Sequence, residues 1–170
     1  MLSVFNDLKP FFEDNYRRIS VREYARMAKI SPPSASKLLN SCSKEALLNR
    51  EKEKNYIYYV ANKENKVFIE LSRIYWFQRF ENSGLIEHLR KEFLVQVIVL
   101  FGSFSKAEIR AGSDVDIAIF NATTKAPRMN NFEKKLGRKI QLFIFKSKEE
   151  VENKDLLSNI LNGFILLGGW

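Results

Sequence analysis

The chain has 170 residues, 45% hydrophobic and 28% charged, a balance that sustains a folded core and argues against disorder. Its longest apolar runs, such as Val97–Phe101 and Phe164–Leu167, fall far short of the ~20 residues of a membrane span. Met1–Pro10 also lacks the basic-then-apolar pattern of a secretory leader, so the sequence predicts a cytoplasmic protein with no membrane partner. One cysteine, Cys42, and one histidine, His88, exclude an internal disulfide and zinc centres built on several cysteines or paired histidines. Both residues read as structural. The net charge is +8, shared equally by the residues up to Asn65 and those after it, which suits a nucleic-acid or nucleotide partner.

Val4, Leu8, Phe11 and Phe12 recur at helical spacing and predict a first helix over residues 3–16. Ser20 is a good N-cap, and Glu23 completes a capping box for a helix from Val21 to about Ala28. Ser31-Pro32-Pro33 caps a further helix running through Ala35, Leu38 and Leu39 to about Ser41. Two short helices joined by a tight turn make a helix-turn-helix. The stretch resembles that family at Ala25 where the helices cross, at Ile30 in the turn, and at Ala35 and Leu38 on the inward face. Lys29 stands where many members carry glycine.

Ala46–Leu48 and Tyr56–Val60 are strand-like runs, and the all-charge segment 50–54 between them reads as a solvated hairpin tip. Helix, helix-turn-helix and hairpin follow one another in the order of a winged helix. Ser34, Ser36, Lys37 and Asn40 then face outward on the second helix, within reach of base edges. Arg17, Arg18, Arg22 and Arg26, with Arg50, Lys52 and Lys54 on the wing, are placed to hold the phosphates of double-stranded DNA. The alternating Glu51 and Glu53 weaken the wing as a DNA contact.

From Lys66 to Phe80 the pattern is helical and apolar on most sides, which reads as packing between two domains or as the interface of a homodimer. A short helix follows Gly84. Buried strands are predicted at Val95–Phe101, Val115–Phe120 and Ile140–Phe145, with helices at Asn131–Leu136 and from about Lys148 to Leu161. The expected division is a winged helix-turn-helix domain at 1–62, a helical linker at 63–92 and a small mixed-sheet domain at 93–170, an α/β (α+β) fold overall.

The second half carries the chemistry. A buried strand ends at Gly102-Ser103 and turns into a short helix; glycine permits close approach of a ligand, and Ser103 stands beside helix N-terminal amides suited to phosphate. After a ten-residue spacer, Asp114-Val115-Asp116 opens the next strand, and residues two apart on a strand share a face. Two converging carboxylates call for a cation, and Mg²⁺ fits them best. Lys106 is placed to contact a phosphate.

An apolar strand, Gly102-Ser103, this spacer, and Asp114-Val115-Asp116 preceded by Ser113 resemble the nucleotidyltransferase superfamily of DNA polymerase beta, in its minimal stand-alone form, over residues 93–168. The resemblance implies Asp114 and Asp116 as catalytic metal ligands, Mg²⁺ or Mn²⁺ as cofactor, and a nucleoside triphosphate as substrate from which NMP is transferred to an acceptor. It also implies a third carboxylate on the next strand, a metal ligand and general base, where this chain has Gln141. Three functions are therefore carried forward. The first is a DNA-binding nucleotidyltransferase. The second is a catalytically inert regulator that binds nucleotide or dimerises. The third is an antitoxin-like partner of a small helical protein. Glu149 or Glu150 is the candidate substitute base.

Overall fold

A computed structural model describes residues 3–93, 97–121 and 127–170. These fold as two compact units, one formed by Met1–Ser72 with Ala107–Ala111, the other by Arg73–Lys106 with Gly112–Trp170.

The first unit opens with helix α1 (Ser3–Glu13), whose Phe5, Leu8, Phe11 and Phe12 are buried. A two-residue strand β1 (Ile19–Ser20) leads into α2 (Val21–Ala28), and α3 (Pro32–Lys44) follows after a short turn. Ser20 caps α2 by accepting from the Glu23 amide at 3.3 Å. The capping box is half made, because the Glu23 carboxylate turns to Arg17 at 2.7 Å. Helix α2 ends at Lys29 in the left-handed conformation, φ 55°. Ser31 caps α3. That helix runs three residues beyond the predicted end.

The hairpin differs from its sequence reading. Strand β2 is Leu48–Glu53 and β3 is Tyr56–Ala61, so most of the charged segment lies within a strand and only Lys54-Asn55 forms the tip. Ala46-Leu47 is not strand: Ala46 takes φ 57° and the Leu47 amide bonds the Cys42 carbonyl at 2.9 Å, closing the end of α3. The sheet order is β1-β3-β2, all antiparallel. Its core includes Tyr24, Leu39, Tyr59 and Phe68, each no more than 1% exposed, with Phe12 against Phe68 at 5.2 Å between ring centroids.

Helix α4 (Lys66–Ser83) continues into the second unit. Most of its aromatic run is covered by its own chain: Phe68, Tyr75, Trp76 and Phe80 are buried, while Val67 and Ile74 are 59% and 47% exposed. There follow α5 (Leu85–Phe93), β4 (Val97–Phe101), α6 (Ser103–Lys106), β5 (Val115–Phe120), α7 (Asn130–Leu136), β6 (Ile140–Phe145), α8 (Lys154–Leu161) and β7 (Phe164–Gly168). Val95 and Gln96, the start of the predicted first strand of this domain, lie outside the described residues. The sheet order is β6-β5-β4-β7, with β5 and β6 parallel and the other pairs antiparallel.

Strands β4 and β5 are buried on both faces, as near-continuous apolar strands should be. Val97, Val99, Phe101, Ala118 and Phe120 form one core face with Ile160 of α8 and Val151. The long final helix expected from Lys148 is instead a single 3-10 turn at Lys148–Glu150 and then α8, capped afresh by Asn153. Strand β7 was missed in the sequence. It pairs with β4, and Gly163 before it lies so close that an added Cβ would come within 2.6 Å of the Leu100 carbonyl oxygen.

Candidate functional site

Strand β5 carries Asp116 as its second residue, and Asp114 stands immediately before its start. Asp116 lies opposite Phe101 on β4 and opposite Gln141 on β6. The strand ladder thus brings the end of β4, the start of β5 and the start of β6 to one edge of the sheet. Gly102 follows β4 with φ 66°, a conformation natural to glycine, and a Cβ there would land on the Asp116 carboxylate. Both reasons for a glycine, the turn and the close approach, apply at this position.

Half-burial and then the neighbouring Asp114 charge push the Asp116 carboxyl above its ordinary value. The repulsion is the electrostatic mark of two carboxylates facing one space. Beside them stands the group that departs from the expected pattern: Gln141 Nε2 donates to Asp114 Oδ2 at 2.8 Å. Among the described residues there is no cluster of three or more His, Cys, Asp or Glu. The site is two carboxylates and an amide.

Helix α6, which begins at Ser103, is held firmly. Phe104 is fully buried, worth about 1.5–3 kcal/mol, with its ring edge-on to Trp76 at 4.7 Å between centroids. Ser105 Oγ donates to the Gly102 carbonyl at 2.9 Å, and Arg73 Nε donates to the Ser105 carbonyl at 2.7 Å. Arg73 was not singled out in the sequence, because an arginine at mid-helix carries no local mark of its partner. Lys106 is engaged elsewhere, its ammonium donating to Asn159 Oδ1 on α8 at 2.7 Å.

Glu149 and Glu150 cannot replace the missing carboxylate. They follow the far end of β6, and the four residue steps from Gln141 to Phe145 alone span roughly 13 Å of strand. Glu150 accepts instead from the Lys146 amide. Glu149 is held below the usual carboxylate range by the Ser147 hydroxyl.

On the first unit, Arg22, Arg26, Ser34, Lys37, Asn40, Arg50 and Lys52 are exposed and Ser36 half-exposed. Among the described residues no ion pair engages Arg22, Arg26, Lys37, Arg50 or Lys52. The short polar groups are partly tied down. Ser34 Oγ lies 2.8 Å from Ser31 Oγ, and Asn40 Nδ2 bonds Ser36 Oγ at 3.3 Å while its Oδ1 accepts from Tyr59 at 2.8 Å.

On the hairpin the acidic residues are paired within the unit. Side chains alternate along a strand, and Glu51 and Glu53 both turn to Arg18, at 2.7 and 2.8 Å, whose guanidinium lies 4.6 Å from the centroid of the Tyr58 ring. Arg50 and Lys52 stand opposite Tyr59 and Ile57 on the other face. That is the face from which Tyr59 bonds Asn40 of α3. The basic side of the hairpin and α3 therefore share one side of the unit. Arg17 and Arg18 are engaged by glutamates rather than presented alone.

Residues 84–167 match the family model described as Polymerase beta, Nucleotidyltransferase. The matched stretch contains α5, strands β4, β5 and β6, β7 except for Gly168, and every residue of the Gly-Ser and Asp-x-Asp motifs. No match is found among curated proteins, and none among solved structures.

Proposed function

From the nucleotidyltransferase-like character of residues 84–167, we propose that this chain binds a nucleoside triphosphate with Mg²⁺ through its second unit and duplex DNA through its first, and that it transfers NMP only feebly. The observation that carries this reading is the amide of Gln141 bonded to Asp114, in the place of a third carboxylate.

The donor set fits a hard cation. Asp114 and Asp116 supply anionic oxygens that repel one another without it, and the missing Cβ of Gly102 keeps the space beside Asp116 open. A bound Mg²⁺ would neutralise triphosphate charge at these two carboxylates. Gly102 and the first residues of α6 would face the phosphates from the other side. Gln141 holds Asp114 in place as a donor, but a neutral amide cannot take the proton of an attacking hydroxyl. Loss of a general base typically costs ~10²–10⁴-fold in rate, whereas binding depends on the carboxylates that remain. On the first unit, Arg22, Arg26, Arg50 and Lys52 would hold phosphates, and α3 would present Ser34, Ser36, Lys37 and Asn40 to the major groove.

The test is calorimetry with each nucleoside triphosphate and Mg²⁺, followed by labelled nucleotides with Mg²⁺ or Mn²⁺. Binding by the native protein with little label transferred, and a rise of up to ~10²–10⁴-fold in Gln141→Asp, is expected. Absence of binding, or strong transfer unaffected by Gln141→Asp, overturns the reading.

A further inference from the structure

The spacer between the Gly102-Ser103 turn and Asp114 does not fold wholly with the sheet that it serves. Ala107–Ala111 belongs to the first unit, whereas the chain up to Lys106 and from Gly112 onward belongs to the second. The anchor is Asn15. Its backbone N–H donates to the Ile109 carbonyl at 2.8 Å, its Oδ1 accepts from the Ile109 N–H at 2.6 Å, and its Nδ2 donates to the Phe11 carbonyl at 2.6 Å. Asn15 and Ile109 are both 0% exposed. The buried side chain thus holds the segment through its oxygen, and its nitrogen ties it to the end of α1.

The neighbouring residues add to the hold. Arg110 lies over the Tyr16 ring, its guanidinium carbon 3.7 Å from the centroid, and the Lys63 ammonium is also 3.7 Å from it. Ala107 takes φ 53°, so the chain turns sharply as it enters the segment. Only short lengths of chain connect the anchored residues to the site: Ser103 precedes Ala107 by four residues, and Asp114 follows Ala111 by three. Such connections have little slack to absorb a displacement of either end.

We propose that Asn15 is a positioning residue of the nucleotide site: by fixing 107–111 in the unit that carries the helix-turn-helix, it makes nucleotide binding and duplex binding depend on one another. The inference rests on the function proposed above. Linkage of this kind is reciprocal, so each ligand changes the affinity of the other by the same factor.

The experiment uses the full chain and a fluorescent random-sequence duplex, titrated with and without the four common nucleoside triphosphates and Mg²⁺. Duplex affinity should change about five-fold or more on nucleotide binding, with an equal factor in the converse titration. Two glycines inserted between Ala111 and Gly112, both exposed, slacken the connection without touching Asn15. This insertion should keep duplex affinity and melting temperature while bringing the coupling factor to one. Asn15→Ala should also abolish coupling, with the insertion as the variant that does not disturb the core. A native protein that binds both ligands without coupling overturns this inference alone, as does an insertion variant with undiminished coupling. A native protein that binds no nucleotide overturns the proposed function and this inference with it.

Discussion

Asp116 is held half-buried beside a second carboxylate, so its ionisation opposes folding. A raised folded-state pKa means a penalty that is absent below the ordinary value of 3.8, grows as pH rises through the folded value, and is complete above it. Asp116→Asn should therefore raise the melting temperature at neutral pH and do so much less near pH 3, by ~2–4 °C for each kcal/mol relieved in a chain of this size. The same change should abolish Mg-nucleotide binding. Scanning calorimetry at the two pH values checks the first statement, and a lower melting temperature at neutral pH would contradict it. Stability is here given up for a charged site. Gln141 sits at the other pole: it keeps a hydrogen bond to Asp114 and adds no charge.

Among the elements, the pair α2 and α3 shows where local rules suffice. Its caps are the serines expected, because a serine N-cap needs only amides two or three residues away. Lys29 bears the cost of a left-handed residue at the end of α2, about 1 kcal/mol for a side chain that has a Cβ. Lys29→Gly should raise stability by about that amount in urea unfolding, and an unchanged midpoint would show that the turn is not strained. Cys42, on α3, has its thiol pushed up to about 11 from 9.0, first by burial and then by Asp7. Such a rise makes thiol labelling about 100-fold slower than for an ordinary cysteine at mildly alkaline pH. Labelling at the ordinary rate would show that α3 opens readily.

What the sequence hid at this scale has physical causes. Strand β2 has no apolar alternation after Leu48, because one of its faces is neutralised by Arg18 and the other presents Arg50 and Lys52. Its strand character comes from pairing with β3. The break before α8 lies in a polar stretch whose helical period continues through it. The core of the site was legible because Gly102, Asp114 and Asp116 mark it with local chemistry, and Gln141 because it stands at a countable place on the next strand. Asn15 was not legible, since its partner lies 94 residues away.

For the molecule as a whole, the +8 charge should make duplex affinity fall steeply with salt. Each phosphate contact contributes about one unit to that slope, so Arg50→Ala or Lys52→Ala should lower it by about one. Lys37→Ala, on α3, should instead reduce sequence preference. Binding measured as a function of salt concentration separates the two. A slope near zero in the native protein would leave the basic side of the hairpin without a nucleic-acid role. Among the described residues no helix is long and apolar enough to cross a membrane.

The discontinuity of the first unit also bears on how the chain is made. A nascent polypeptide leaves the ribosome from its N-terminus at ~5–20 residues per second. When Ser72 has emerged, Ile109 and Arg110 are still to come, so Asn15 Oδ1 still lacks the Ile109 amide that it accepts from in the finished fold. The unit stays unfinished until Ala111 appears, 39 residues later, a delay of roughly 2–8 s. By the end of that interval the Gly-Ser turn has been synthesised, and Asp114 has not. The N-terminal unit therefore closes on the segment that is about to deliver the first aspartate, and translation order itself stages the assembly of the site.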